Sequence, residues 1–396
     1  MAGPVRRTGR GGALTMPSSI EVSALDTRRT GWLASFVASL RENSPLLVLV
    51  ALYLAGADGL SALLGTPHRS FDGIGASYDG YVSMCIAALA VAFIVWILHV
   101  TLVRKNSIQS RATWRLVGTE FFNRDRVLLA LPILLVWPVL ARAFSLVKAL
   151  IPLVHPYSLD PLLHQIDRAI HFGHDPWALL QPILGYPIVT YSIDFLYALW
   201  LFVMYFALLL QITTLRDRRV RAQFLISSIL AWTLLGGVLA IALSSVGPCY
   251  YALVVGGPDP YAAQIAYLRE TVPATHISIF GFDKQLSLIA VTVQDMLWDF
   301  YQQADFGFGR GISAAPSMHV ASTWLVARMI QTYGRRAAIF GWGFFAVILI
   351  GSIHLGWHYA TDGYVAIAGA WALWRLTGWW LDRPAVKSFL FAPARA

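Results

Sequence analysis

The sequence predicts an all-helical, multi-pass membrane bundle of about eight transmembrane helices, and three observations support that fold. The 396 residues are 57% hydrophobic and only 13% charged, too apolar for a water-soluble chain of this length. Apolar runs of about 18 residues or more recur, the length that crosses a hydrocarbon slab. Basic residues crowd every second loop and thin out in the loops between. The spans are expected over residues 45–65, 81–103, 127–150, 187–212, 224–246, 316–332, 337–357 and 362–381, the sixth being short and carrying Arg328. Fifteen Trp, 16 Tyr and 21 Phe supply material for aromatic belts at both interfaces.

Residues 1–43 read as a cytoplasmic tail. Its first 30 residues are Arg- and Gly-rich, without the apolar core or small-residue cleavage site of a signal peptide, and are expected to be disordered. Trp32, Leu33, Phe36, Val37 and Leu40 then recur at helical spacing, which predicts a helix lying on the inner leaflet. Residues 44–126 hold two accessory spans joined by a polar loop, residues 127–382 a membrane domain of about six spans, and residues 383–396 a second cytoplasmic tail. In the third span Arg142 and Lys148 are expected to snorkel toward the outer interface.

The net charge of +9 reports topology and contact with anionic lipid, not a nucleic-acid partner. Arg28, Arg29 and Arg41 precede the first span, and Arg104, Lys105, Arg111, Arg115, Arg124 and Arg126 fill the second loop. Arg216, Arg218, Arg219 and Arg221 fill the fourth, Arg335 and Arg336 the sixth, and Arg383, Lys387 and Arg395 the tail. Positive-inside bias puts both termini in the cytoplasm and the odd-numbered loops outside. Two cysteines exclude a disulfide framework and a multi-Cys metal site, and the topology allows a bridge between Cys85 and Cys249.

In the outer loop 156–186, Leu162, Leu163, Ile166 and Ile170 form one apolar face of an interfacial helix. His171, His174 and Asp175 after it read as a capped turn in preference to a metal site. Asp194, in the fourth span, needs a partner such as Arg142 or a hydroxyl. Loop 247–315 is the longest between spans, with short helices expected over 261–271 and 285–300. Its length makes it a candidate lid or substrate-recognition cap, and its only cations are Arg269, Lys284 and Arg310.

Two short stretches carry the chemistry: Ala314-Ala315-Pro316-Ser317-Met318-His319, and Ser352 to Asp362 containing His354 and His358. Ionisable residues at the mouths of apolar segments read as functional. Pro316-Ser317 is a turn entering a helix, which sets His319 beside unpaired N–H groups suited to an anion. His358 and Asp362 are four apart and share a helix face, so the carboxylate can orient the imidazole. Two histidines, a carboxylate and a helix N-terminus are the parts that move a phosphoryl group through a phosphohistidine.

These stretches resemble the second and third signatures of the type-2 phosphatidic acid phosphatase superfamily. The branch they most resemble is that of membrane phosphotransferases of the inositol phosphorylceramide synthase type. Met318 stands where the family has Gly, and Gly351 and Ser352 stand where it has Ser-Arg. Gly247-Pro248-Cys249-Tyr250 sits where the first signature belongs and lacks its basic residues. The Asp167-Arg168 to Phe172-Gly173-His174-Asp175-Pro176 pattern also resembles the synthase-like branch, and the likeness runs from about Leu159 to the C-terminus.

The resemblance implies that His358 is the nucleophile, that Asp362 fixes its tautomer, and that His319 serves the leaving group as acid and the acceptor as base. Ser317, Met318 and the helix-start N–H groups are the expected phosphate-binding groups. Arg310 stands in for the missing signature cations, with Lys284 and Arg269 behind it. No metal and no organic cofactor are implied. The substrate is a membrane lipid, handled on the outer face of a cell membrane. Departures from the phosphatase signatures favour transfer to an alcohol, and release to water as a lipid phosphate phosphatase is the alternative.

Two readings from other classes compete. His354, His358 and Asp362 are spaced by fours and with His319 offer a zinc ligand set, though without the Glu of a metalloprotease signature. A transporter or non-catalytic scaffold is the second, but transporters gather polar residues at the midplane of broken helices, and here they gather at span ends.

Overall fold

The computed structural model describes residues 31–121, 123–279, 282–307 and 309–392, and gives backbone alone for 121, 276–279 and 282–284. The expected disordered tail over residues 1–30 lies outside the described residues.

Six helical runs are long and apolar enough to cross a membrane: Trp32–Leu63, Ile74–Val103, Arg124–Val154, Pro187–Thr213, Arg218–Ala242 and Arg335–His354. The first is one unbroken helix, α1 (Trp32–Leu63), so the stretch expected to lie flat on the leaflet forms its opening turns. Pro45 does not end it. A proline leaves the carbonyl four residues back without its N–H partner, and here Ser44 Oγ donates to that Arg41 carbonyl at 2.8 Å.

α2 (Ile74–Leu98) returns the chain, and a short α3 (Arg111–Leu116) leads into α4 (Arg124–Val154). α4 tolerates Pro132 in the same way, because Ser39 of α1 donates to the freed Leu128 carbonyl at 2.7 Å. The proline is thereby turned into a contact between two helices.

α5 (Asp160–Ile170) and α6 (Pro176–Leu184) lie between the long helices, and the turn between them has Phe172 and Gly173 at positive φ, as the capped-turn reading expects. α7 (Pro187–Ala198) and α8 (Trp200–Thr213) form the fourth run, and α9 (Arg218–Leu230) begins the fifth. That fifth run widens into a π-helical stretch, Ala231–Leu239, of the sort that gathers at functional sites.

Loop 247–315 contains a helix from Ala262 that widens through Thr271, a two-stranded hairpin, β1 (His276–Ile279) and β2 (Phe282–Gln285), and α10 (Ile289–Gln302). The hairpin was not expected from sequence.

α11 (Met318–Ile330), α12 (Arg335–His354) and α13 (Ala360–Leu381) complete the bundle, and α14 (Pro384–Phe391) follows. α11, at 13 residues, is shorter than a span, as the sequence suggested. α13 has the length, but Asp362, Arg375 and four tryptophans lower its hydropathy. Both nonetheless pack in the centre, where Leu140, Leu208, Ile229, Leu325 and Ala370 share one core.

The two ends of the bundle differ. At one, Arg221 and Arg218 reach the buried Glu42, Arg221 Nη2 donates to Asn43 at 3.0 Å, and Arg219 pairs with Asp382 at 2.6 Å. At the other sit the histidines. Two sequence expectations are corrected here. Asp194 pairs with neither Arg142 nor a hydroxyl; it accepts from Ile289 and Ala290 N–H at 2.6 and 2.8 Å and so caps α10. Arg142 instead donates to the Asp72 carbonyl between α1 and α2. Cys85 and Cys249 are both free thiols.

Candidate active site

Three chain segments cross at the histidine end of the bundle, and backbone hydrogen bonds lock them together. Ala314 N–H donates to Ser245 O at 3.0 Å, Cys249 N–H to Gly356 O at 2.9 Å, and Ser317 N–H to Asp362 O at 3.2 Å. Gly247 has φ +89°, and a Cβ there would sit 2.6 Å from the Trp357 carbonyl, so only glycine lets the first segment lie this close to the third.

α5 anchors the crossing with two carboxylates seven residues apart on its buried face. Asp160 accepts from Val246 N–H at 3.1 Å, Gly247 N–H at 2.9 Å and the Tyr359 hydroxyl at 2.8 Å. Burial pushes its carboxyl above the ordinary range, against the opposing pull of those hydrogen bonds. Asp167 accepts from Ala360 N–H at 2.7 Å, Thr361 N–H at 2.8 Å and the Thr361 hydroxyl, which caps the first turn of α13. Leu162 and Ile170 point outward, about half exposed, while Leu163 is buried beside the two carboxylates, so the expected apolar face of α5 is split and its acidic residues face the protein.

On this frame the His319 and His358 rings meet, with Nδ1 of His319 3.2 Å from Nε2 of His358. His358 Nδ1 lies 2.9 Å from the Ala314 carbonyl and 3.5 Å from Asp362 Oδ2. A carbonyl only accepts, so Nδ1 carries the proton and Nε2 the lone pair. His319 Nδ1–H then donates to that lone pair. Asp362 is fully buried; its Oδ2 also accepts from Tyr359 N–H at 3.1 Å, and its Oδ1 is buried without a hydrogen-bond partner. Around His319 stand Trp200, Tyr197 and Trp357, with ring centroids 4.2, 5.0 and 6.3 Å away.

The other residues singled out from sequence are engaged in contacts of their own. Ser317 is buried and its hydroxyl accepts from Val320 N–H at 3.4 Å as the N-cap of α11. Met318 packs on Gly236 in the π-helical stretch. Arg310 pairs with Asp305 and lies 3.9 Å over the Phe300 ring. Arg269 is bound to Asp295 at 2.6 Å. The Lys284 side chain lies outside the described residues. His354 turns Nε2 to Thr190 Oγ1 at 2.9 Å, away from the histidine pair, and no three metal-binding side chains cluster among the described residues.

Sequence reasoning missed Asp160, Tyr197, Trp200 and the Ala314 carbonyl, and it gave Asp167 no role in the frame. The seven-residue spacing of Asp160 and Asp167 was the one available signal for the anchor.

A helical membrane protein with a pair of imidazoles meeting at one end of its bundle, His358 buried and His319 half-buried, is the class these observations define. The family model of the PAP2 superfamily matches residues 161–376, and the chain belongs to that superfamily. Comparison with curated proteins and with solved structures gives no significant match. Membership brings activity of the phosphatase or phosphotransferase type in general, and the apolar helices fit a bilayer and a lipid-related substrate.

Proposed function

We propose that the protein is a membrane lipid phosphotransferase that moves a phosphoryl or phospho-head group through a phosphohistidine on His358 to an alcohol acceptor. The observation that carries this reading is the paired imidazoles, with the His358 lone pair on Nε2 and its Nδ1 anchored behind. As Nε2 bonds to phosphorus, the bond from phosphorus to the leaving oxygen breaks. His319, in its protonated form, gives its Nδ1 proton to that oxygen. In the second half-reaction neutral His319 takes the proton of the incoming hydroxyl, whose oxygen displaces Nε2. The positive phosphohistidine ring is faced by Asp362 Oδ2, 3.5 Å from Nδ1.

Trp200, Tyr197 and Trp357 favour an alcohol over water as acceptor, because aromatic walls hold a lipid hydroxyl and limit bulk water. The inositol phosphorylceramide synthase type remains the branch that the sequence pattern favours. The site is assigned to the extracytoplasmic face, since the opposite end of the bundle holds Arg218, Arg219 and Arg221.

Membranes bearing the protein, given radiolabelled phospholipids with and without a lipid alcohol, test the reading. Label transferred to the alcohol is the expected result, and release of free phosphate alone selects the phosphatase. His319→Ala and His358→Ala should each remove turnover while leaving the thermal unfolding temperature near that of the wild type. Turnover surviving in both would overturn the assignment.

A further inference from the structure

Phosphoryl transfer needs positive charge against the oxygens on phosphorus, and most cations nominated from sequence are already engaged. Arg310 is held by Asp305 and Phe300, and Arg269 by Asp295. Lys148 of α4 differs. Among the described residues its ammonium makes no hydrogen bond and no ion pair. A half-buried ammonium without a partner of its own is free to take an anionic one from a ligand.

Its placement follows from its neighbours. Phe144, one turn earlier, abuts Gly236, on which Met318 also packs, and Ser145 Oγ accepts from Gly309 N–H at 3.0 Å. Gly311, at φ +90°, is pressed so closely on the Lys148–Ala149 backbone that a Cβ would lie 2.9 Å from Ala149 N. The face of α4 bearing Phe144, Ser145 and Lys148 therefore runs under the segment from Gly309 that leads to His319. Lys148 lies outside the family match over residues 161–376, so the superfamily assigns it nothing.

We propose that Lys148 is the cation that binds the phosphoryl oxygens of the lipid substrate beside the His319–His358 pair. The inference rests on the phosphoryl-transfer reading above and supplies the charge that its signatures lack. A lone ammonium binds phosphate as a point charge.

Orthovanadate inhibition of lipid-phosphate turnover, measured on the detergent-solubilised full chain, tests it. Lys148→Met is expected to raise the vanadate inhibition constant and KM about tenfold or more, with a smaller change in kcat. Lys148→Arg should recover part of the loss and Lys148→Gln none. If the Met variant does not fold, the contrast between Arg and Gln carries the test. Equal vanadate inhibition in those two, or in Lys148→Met and the wild type, overturns the proposal while the phosphoryl-transfer reading stands. A wild type that neither turns over lipid phosphate nor binds vanadate overturns both.

Discussion

The Nδ1–H of His358 has two oxygens within reach, and their distances separate two duties. The Ala314 carbonyl at 2.9 Å is the hydrogen-bond partner and holds the tautomer, while Asp362 Oδ2 at 3.5 Å contributes mainly charge. Asp362→Asn should therefore keep the tautomer and lose only the support for a positive ring. We expect kcat to fall about 10- to 100-fold with little change in KM, the equivalent of roughly 1.4–2.7 kcal/mol. Steady-state kinetics on the wild type and the Asn variant check this, and a loss as complete as that of His358→Ala would make Asp362 the principal orienting group. Gly247→Ala acts on the same ring through the backbone. A methyl 2.6 Å from the Trp357 carbonyl, at a φ of +89°, forces residues 357 and 358 aside. Turnover should drop at least tenfold in protein that still inserts and folds, a misplacement effect of the size reactive groups show.

At the scale of elements, α13 holds His358 in place through its first turn, and that turn is capped from α5. Asp167 accepts two backbone N–H groups and a hydroxyl there, so Asp167→Ala leaves several donors buried without partners. The expected cost is about 2 kcal/mol, the upper end for losing a helix cap, read as a lower unfolding temperature in detergent. Activity should fall with stability, whereas His358→Ala lowers activity alone. The sequence made the long helices legible because a lipid solvent demands apolar runs of span length. It made His319, His358 and Asp362 legible because polar groups stand out against such runs. It did not show that α5 turns its carboxylates inward, because Leu162, Leu163, Ile166 and Ile170 fit an interfacial helix equally well. Nor did it show that α1 starts at Trp32, because Pro45 reads as a helix start until the Ser44 hydroxyl is seen to satisfy the freed carbonyl.

Across the whole molecule, charge and chemistry are segregated to opposite ends. The starts of α1, α4 and α9 and the close of α13 bring Arg41, Arg124, Arg126, Arg218, Arg219, Arg221 and Arg383 to one end. The crossing of residues 244–249, 314–319 and 356–362 occupies the other, where loop 247–315, the candidate cap, begins and ends. Gln294 of α10 ties that cap to the site end by donating to the Leu355 carbonyl at 3.0 Å. Lysine and arginine resist translocation across a membrane, so the basic end is expected in the cytoplasm and the histidines outside. Cysteine labelling decides this. With Cys85 and Cys249 changed to serine, Gln303→Cys reports on the cap and Lys387→Cys on the basic end, both positions being exposed. A membrane-impermeant maleimide added to intact cells should label Gln303→Cys at once and Lys387→Cys only after permeabilisation. The opposite pattern would put the imidazole pair in the cytoplasm, where any lipid phosphate it handles must be presented by the inner leaflet.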